Sequence, residues 1–272
     1  MENRDVVMRI LPLLFALVGA PATAHELWIE PLAYQIEADA NLEAHIVNGE
    51  EFEGTKLAFL PRTIQNFVVF SGQQMARVDS RIGDRPALNR AALGDGLHII
   101  AYQTNPTTVN YPNWEKFQKF VDHKDLGDLR PIHNERGLPE ENFLEVYTRY
   151  SKSLIGVASG AGSDRRVGME TELVALANPY TDNLSEMPVQ LHYRNDVRAN
   201  EQIEVFEKAP DGTIEITLHR TDDDGIGRFP VKPGHAYMVD AVYIREPSES
   251  LAAETRGVWE TMWANLTFSI PE

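Results

Sequence analysis

Among the residues able to do chemistry, His25 holds the most telling position, directly after Ala22-Thr23-Ala24 and before Glu26-Leu27-Trp28. Arg4 and Arg9, the apolar run from Leu11 to Val18 and the small-x-small triplet Ala22-Thr23-Ala24 follow one another as in an export signal cut after Ala24. Cleavage there makes His25 the first residue of the mature chain, with an imidazole and a free α-amine on one residue. Nδ1 and the amine can then chelate a single borderline metal ion. An α-amine of ordinary pKa, roughly 7.7–8.0, yields its proton to a metal at modest cost. Copper, nickel and zinc all accept such a nitrogen set.

Eight histidines occur, all after residue 24. His98 lies in the apolar run Gly96-Leu97-His98-Ile99-Ile100-Ala101-Tyr102, where either face could be buried and a buried imidazole needs a partner. His123 and His133 fall in a charged stretch with Lys116, Lys119, Asp122, Lys124, Asp125 and Glu135, which reads either as a solvated helix face or as a helical lid carrying ligands towards His25. Their separation is not the i, i+4 spacing of zincin-type sites. The candidate ligand set is therefore His25, His98, His123 and His133. His192 and His219 sit on the polar parity of their strands and are expected in solvent, His45 at a surface or rim, and His235 at a turn. Asp222-Asp223-Asp224-Gly225 lacks the spacing of a calcium loop and reads as a turn. Trp259-Glu260-Thr261-Met262-Trp263 could offer an aromatic platform to a sugar, although core is the simpler reading.

Composition narrows the chemistry further. No cysteine is present, which removes disulfides, thiolate ligands and thiol catalysis together. A formal charge of −16 disfavours nucleic acid and anionic membrane as partners and is compatible with attracting cations. No segment after the signal has the roughly 18 apolar residues of a membrane span, so a soluble, exported chain is expected. Neither a phosphate-binding loop nor a Gly-x-Ser-x-Gly elbow is present, and the chain is not expected to be an enzyme.

The elements that must position these groups are mostly strands. Residues 25–158 show short strands parted by turn residues, with a helical insertion at about 113–155 where Trp114, Phe117 and Val121, and later Phe143, Tyr147, Tyr150 and Leu154, repeat at helical spacing. Ser159-Gly160-Ala161-Gly162-Ser163 reads as a flexible linker over 159–167, and 168–272 as a sandwich of seven strands. The expected architecture is mainly β: two immunoglobulin- or prealbumin-like sandwiches, the first bearing the insertion.

Four segments together carry a family likeness: His25-Glu26-Leu27-Trp28-Ile29-Glu30-Pro31, Val47-Asn48-Gly49-Glu50-Glu51-Phe52, Tyr147-Thr148-Arg149-Tyr150-Ser151-Lys152-Ser153-Leu154 and Trp263-Ala264-Asn265-Leu266-Thr267-Phe268. They resemble an exported bacterial family of unknown-function domains labelled as periplasmic components of nickel or cobalt uptake. The resemblance runs over nearly the whole mature chain. It implies a periplasmic, β-rich protein that handles a transition metal ion, with His25 the residue carried over and a membrane metal transporter as the partner. His98, His123 and His133 are not part of that family pattern. Two other functions remain open at this stage: a copper-dependent redox enzyme built on the N-terminal histidine, and a structural or carbohydrate-binding sandwich without metal.

Overall fold

The computed structural model describes residues 25–272; the export signal expected over 1–24 lies outside the described residues. Three sheets build the molecule. The central one has strands in the order Ile214–Arg220, Gln202–Lys208, Ala236–Arg245, Gly257–Ser269, Glu141–Val157, Gly96–Thr104, Ile64–Ser71 and Gln74–Arg77, with Gln35–Ile36 and Thr107–Asn113 also paired to Glu141–Val157. A second sheet contains Glu26–Pro31, Asn41–Glu50, Glu53–Leu57 and Leu88–Ala91. A third contains Thr171–Ala175, Glu186–Tyr193, Asp196–Val197 and Ile226–Pro230.

The two smaller sheets lie on opposite faces of the central one, and side-chain alternation explains how. Successive residues of a strand point to opposite faces. Leu97, Ile99 and Leu154 pack with Leu173, Val189 and Leu191 of the third sheet. Their neighbours Ile100, Tyr102, Ile155 and Val157 pack with Leu27, Ile29, Leu42 and Ile46 of the second. A strand covered on both sides must be apolar at both parities, and Ser151 to Val157 are buried without a break.

That double coverage corrects the extent of the helical insertion. Glu141–Val157 is a strand of 17 residues; the helices are confined to α1 (Trp114–His123) and α2 (Arg130–Glu135). Phe143 and Tyr147 share one parity, Tyr150 and Leu154 the other, so a strand buried on both faces reproduced helical spacing by chance. The α1 start was legible: the Asn113 side chain accepts a hydrogen bond from the Lys116 amide at 2.9 Å, an ordinary N-cap.

The segment read as a linker is held in place. Leu97 N–H donates to the Ala161 carbonyl, and the Asn178 amide donates to the carbonyls of Gly160 and Gly162. The chain on either side shares the central sheet, because Glu141–Val157 pairs in parallel with Gly257–Ser269, Tyr150 opposite Ala264. Asn48-Gly49, a residue pair common in turns, lies near the end of the strand Asn41–Glu50. The hairpin instead turns at Glu51 and Phe52, both at positive φ, and the Phe52 ring meets Trp28 edge-on at 5.6 Å. Gly49 is required there because a Cβ would come within 2.0 Å of the Glu53 carbonyl oxygen.

Candidate metal centre and its cavity

The strand Glu26–Pro31 places His25 at the rim of the molecule. Trp28 and Ile29 are fully buried, and the strand runs antiparallel to Asn41–Glu50 with Glu26 opposite Gly49. Arg149, from the long central strand, donates a hydrogen bond from Nη2 to the His25 carbonyl. Its guanidinium lies over the Trp263 ring, 3.7 Å from the centroid. The His25 side chain is 58% exposed, and its Nε2 lies 3.5 Å from Glu50 Oε1. Beside it opens a cavity of about 370 Å³ lined by His25, Asn48, Tyr111, Glu145, Tyr147 and Arg149 among others.

Immediately beneath sits a cluster of charges that the sequence did not announce. Lys124, at the C-cap of α1, sends Nζ to Glu26 Oε1 at 3.2 Å, Asp240 Oδ2 at 3.3 Å and Glu204 Oε2. All four side chains are buried. Lys124 Nζ also lies 4.9 Å from the Trp263 centroid, so this ring carries two cations. Among the described residues, Glu26, Glu204 and Asp240 are the one group of three potential metal-ligating side chains within 4.8 Å of one another. A lysine ammonium already bonds all three, so an intrinsic cation takes the place a metal would have.

Burial pushes the Glu26 carboxyl up to about 7 against the pull of Lys124, and burial raises Asp240 as well. Burial acts upward on Glu204 too, but hydrogen bonding to His123 and the Lys124 charge leave it below its ordinary value. A carboxyl whose pKa rises on folding stabilises the protein fully below its ordinary value, here 4.5 for Glu26, and that stabilisation is lost as pH climbs through about 7. Glu26 is therefore expected to contribute a fall in stability from pH 5 to pH 8 of on the order of 2–3 kcal/mol, read in urea as the difference between the protein and Glu26→Gln, because imidazoles such as His98 and His133, held below their ordinary pKa, titrate in the same window with the opposite sign. Glu204 has the opposite sign and acts below its ordinary 4.5, outside this window. A difference between the two proteins that stays constant from pH 5 to pH 8 would contradict the assignment.

Of the other candidate histidines, two are engaged in the core and one meets the lysine cluster. His98 is wholly buried, its Nδ1–H donating to the Gly96 carbonyl at 3.0 Å and its Nε2 accepting from the Leu93 amide at 2.9 Å. His133 is likewise buried, with Nε2–H donating to the Pro139 carbonyl at 3.1 Å and Nδ1 accepting from Trp259 Nε1 at 3.1 Å. Both ring nitrogens of each are engaged within the protein, which leaves no lone pair for a metal; burial holds both rings below the usual imidazole pKa. His123 is exposed and reaches Glu204 Oε1 at 3.0 Å, on the lysine cluster. No histidine belongs to a group of three potential ligands among the described residues.

Two further expectations change. His192 is buried, 8% exposed, rather than solvated. On the edge strand Ile214–Arg220 it is Ile216 and Leu218 that face solvent, while His219 lies 5.9 Å from the Phe229 ring. Trp259 and Trp263 are both buried, so they present no open platform for a sugar.

The fold and site define a mainly β protein of three stacked sheets, with a cavity at the N-terminal strand and a buried lysine–carboxylate cluster below it. The chain belongs to the family described as Domain of unknown function (DUF4198), whose model matches residues 22–245. No curated protein matches it. It is similar to a solved structure described as a tetra-tandem repeat in the extending region of a large adhesion protein, at 11% identity and a TM-score of 0.20. That match covers 90% of this chain and 49% of the other, so this chain spans about half of its length.

Proposed function

We propose that the mature chain binds a transition metal ion, nickel, cobalt or copper, at His25 and serves its uptake or delivery in the periplasm, handing it to a membrane transporter. The observation that carries this reading is the setting of His25. Its carbonyl is held by Arg149 and the strand that follows it is anchored through Trp28 and Ile29, so a new N-terminus there would be fixed rather than frayed. With Nε2 turned towards Glu50, Nδ1 is the nitrogen left to close a chelate with the α-amine. A carboxylate at the non-ligating nitrogen orients the ring and makes the ligating nitrogen more basic. The exposed rim suits an exchangeable cargo, since the protein supplies only part of the coordination shell.

The test is the N-terminus itself. Protein beginning at His25 is expected to bind nickel or copper at least about tenfold more tightly than protein with one extra residue before His25, a difference of about 1.4 kcal/mol. Calorimetric titration measures both. Equal affinities would remove the amine from the site and with it this reading.

A further inference from the structure

Two side chains that line the cavity beside His25, Arg149 and Glu145, are ionisable groups buried in its wall. Arg149 is 7% exposed; Nη2 serves the His25 carbonyl, and Nη1 has no hydrogen-bond partner. Glu145 is 2% exposed; Oε1 accepts from Thr261 Oγ1, and the carboxyl also meets the Tyr111 side chain in a hydrogen bond. Buried groups of this kind are ordinarily satisfied, and a small turn of the guanidinium would bring this spare donor to an acceptor in the cavity. Lys116, Asn48, Asn110 and Tyr147, whose side chains can all donate, line the same cavity. Asn48, Tyr147 and Arg149 also line a neighbouring cavity of about 310 Å³, to which Arg85 adds another cation. In a chain of net charge −16, a hollow with this many cationic and donor groups selects for a small anion. Burial raises the Glu145 carboxyl, so it opposes an anion less than an ionised group would and can donate to it. A volume of about 370 Å³ falls within the range of small-molecule sites.

We infer that this cavity binds a small organic carboxylate, held by Arg149, whose remaining donor atoms complete the coordination of the metal at His25. The inference rests on the metal reading above and deepens it, since the cargo then arrives as a carboxylate chelate rather than as a bare ion. Arginine's planar fork suits a carboxylate, and among the described residues no group of three potential ligands includes His25, so exogenous donors would complete the shell.

Equilibrium dialysis tests it with radiolabelled citrate and, in a separate arm, L-histidine, against protein beginning at His25 with and without nickel. Nickel-loaded protein is expected to retain about one carboxylate per chain, at least about tenfold more tightly than metal-free protein. Retention of citrate alone identifies a hydroxy-acid chelate, and of L-histidine alone an amino-acid chelate. Asn110→Asp, an exposed change that adds a like charge, is expected to reduce carboxylate retention per bound nickel by about tenfold. Arg149→Gln is expected to abolish retention; because Arg149 also holds His25, Asn110→Asp decides if that variant misfolds. Nickel-loaded protein that retains neither carboxylate overturns the inference and leaves the metal reading intact. Failure to take up nickel overturns the metal reading; carboxylate that metal-free protein then retains through Arg149 would mark an anion site without a metal.

Discussion

Substituting Lys124 with methionine is expected to lower the free energy of unfolding by about 3–5 kcal/mol at neutral pH. The side chain is almost wholly buried and bonds Glu26, Glu204 and Asp240, which are themselves buried. Methionine keeps much of the volume but leaves three carboxylates facing one another in a low-dielectric interior. The cost is the unpaired charge that remains, rather than the intrinsic worth of the ion pairs. At low pH the carboxyls can take up protons, so the penalty measured in urea should shrink from pH 7.5 to pH 5. A penalty below about 1 kcal/mol at both pH values, the range of an exposed pair, would show that the cluster does not depend on Lys124. Glu26 lies on the strand Glu26–Pro31, so the same variant should loosen that strand, seen as faster amide exchange from Leu27 to Glu30.

The second large effect is expected at Lys152, which is fully buried on the long central strand. Nζ donates to Asp164 Oδ2 at 3.0 Å, Glu172 Oε1 at 3.1 Å and the carbonyls of Arg165 and Leu173 at 3.0 Å each. The acids are themselves tied to backbone amides, Asp164 to those of Arg165 and Ala175, Glu172 to those of Val167 and Met169. One ammonium thus fastens the segment after Gly162 to the central sheet. Lys152→Met is expected to cost about 3–5 kcal/mol and to lower Tm by roughly 6–20 °C. Lys119→Met, whose partner Glu115 lies 2.9 Å away on the exposed face of α1, is the contrast at about 0.3–0.5 kcal/mol. Equal effects in the two variants would mean that burial does not set the strength of the Lys152 cage.

The difference between these lysines shows where sequence reading stops. Lys119 lies four residues from Glu115 on a helix, and that spacing is visible in the chain. Lys124 meets acids 80, 98 and 116 residues away, and no local pattern encodes those meetings. Arg149 and Lys152 did stand within the segment Tyr147 to Leu154 that carried the family likeness, the one signal that could have drawn attention to them. Parity failed where coverage was unusual. Gly96–Thr104 and Glu141–Val157 lie between two sheets, so His98 is enclosed whichever face it takes. The edge strand Ile214–Arg220 has neighbours on one side only, and there Ile216 and Leu218 remain in solvent.

By itself the sequence determined the mainly β class, the strands of the last hundred or so residues, the start of α1 at Asn113, the lack of any thiol chemistry and the singular position of His25. Those properties depend on composition, local spacing and neighbouring residues, which a linear chain displays. The tertiary structure alone decided that the two halves share one sheet, that His98 and His133 are satisfied within the core, that Lys124 occupies the acidic cluster, and that Arg149 is left with an unpartnered nitrogen beside His25. Each of those depends on which distant side chains meet and on how much water remains between them, and both are fixed only when the sheets close on one another.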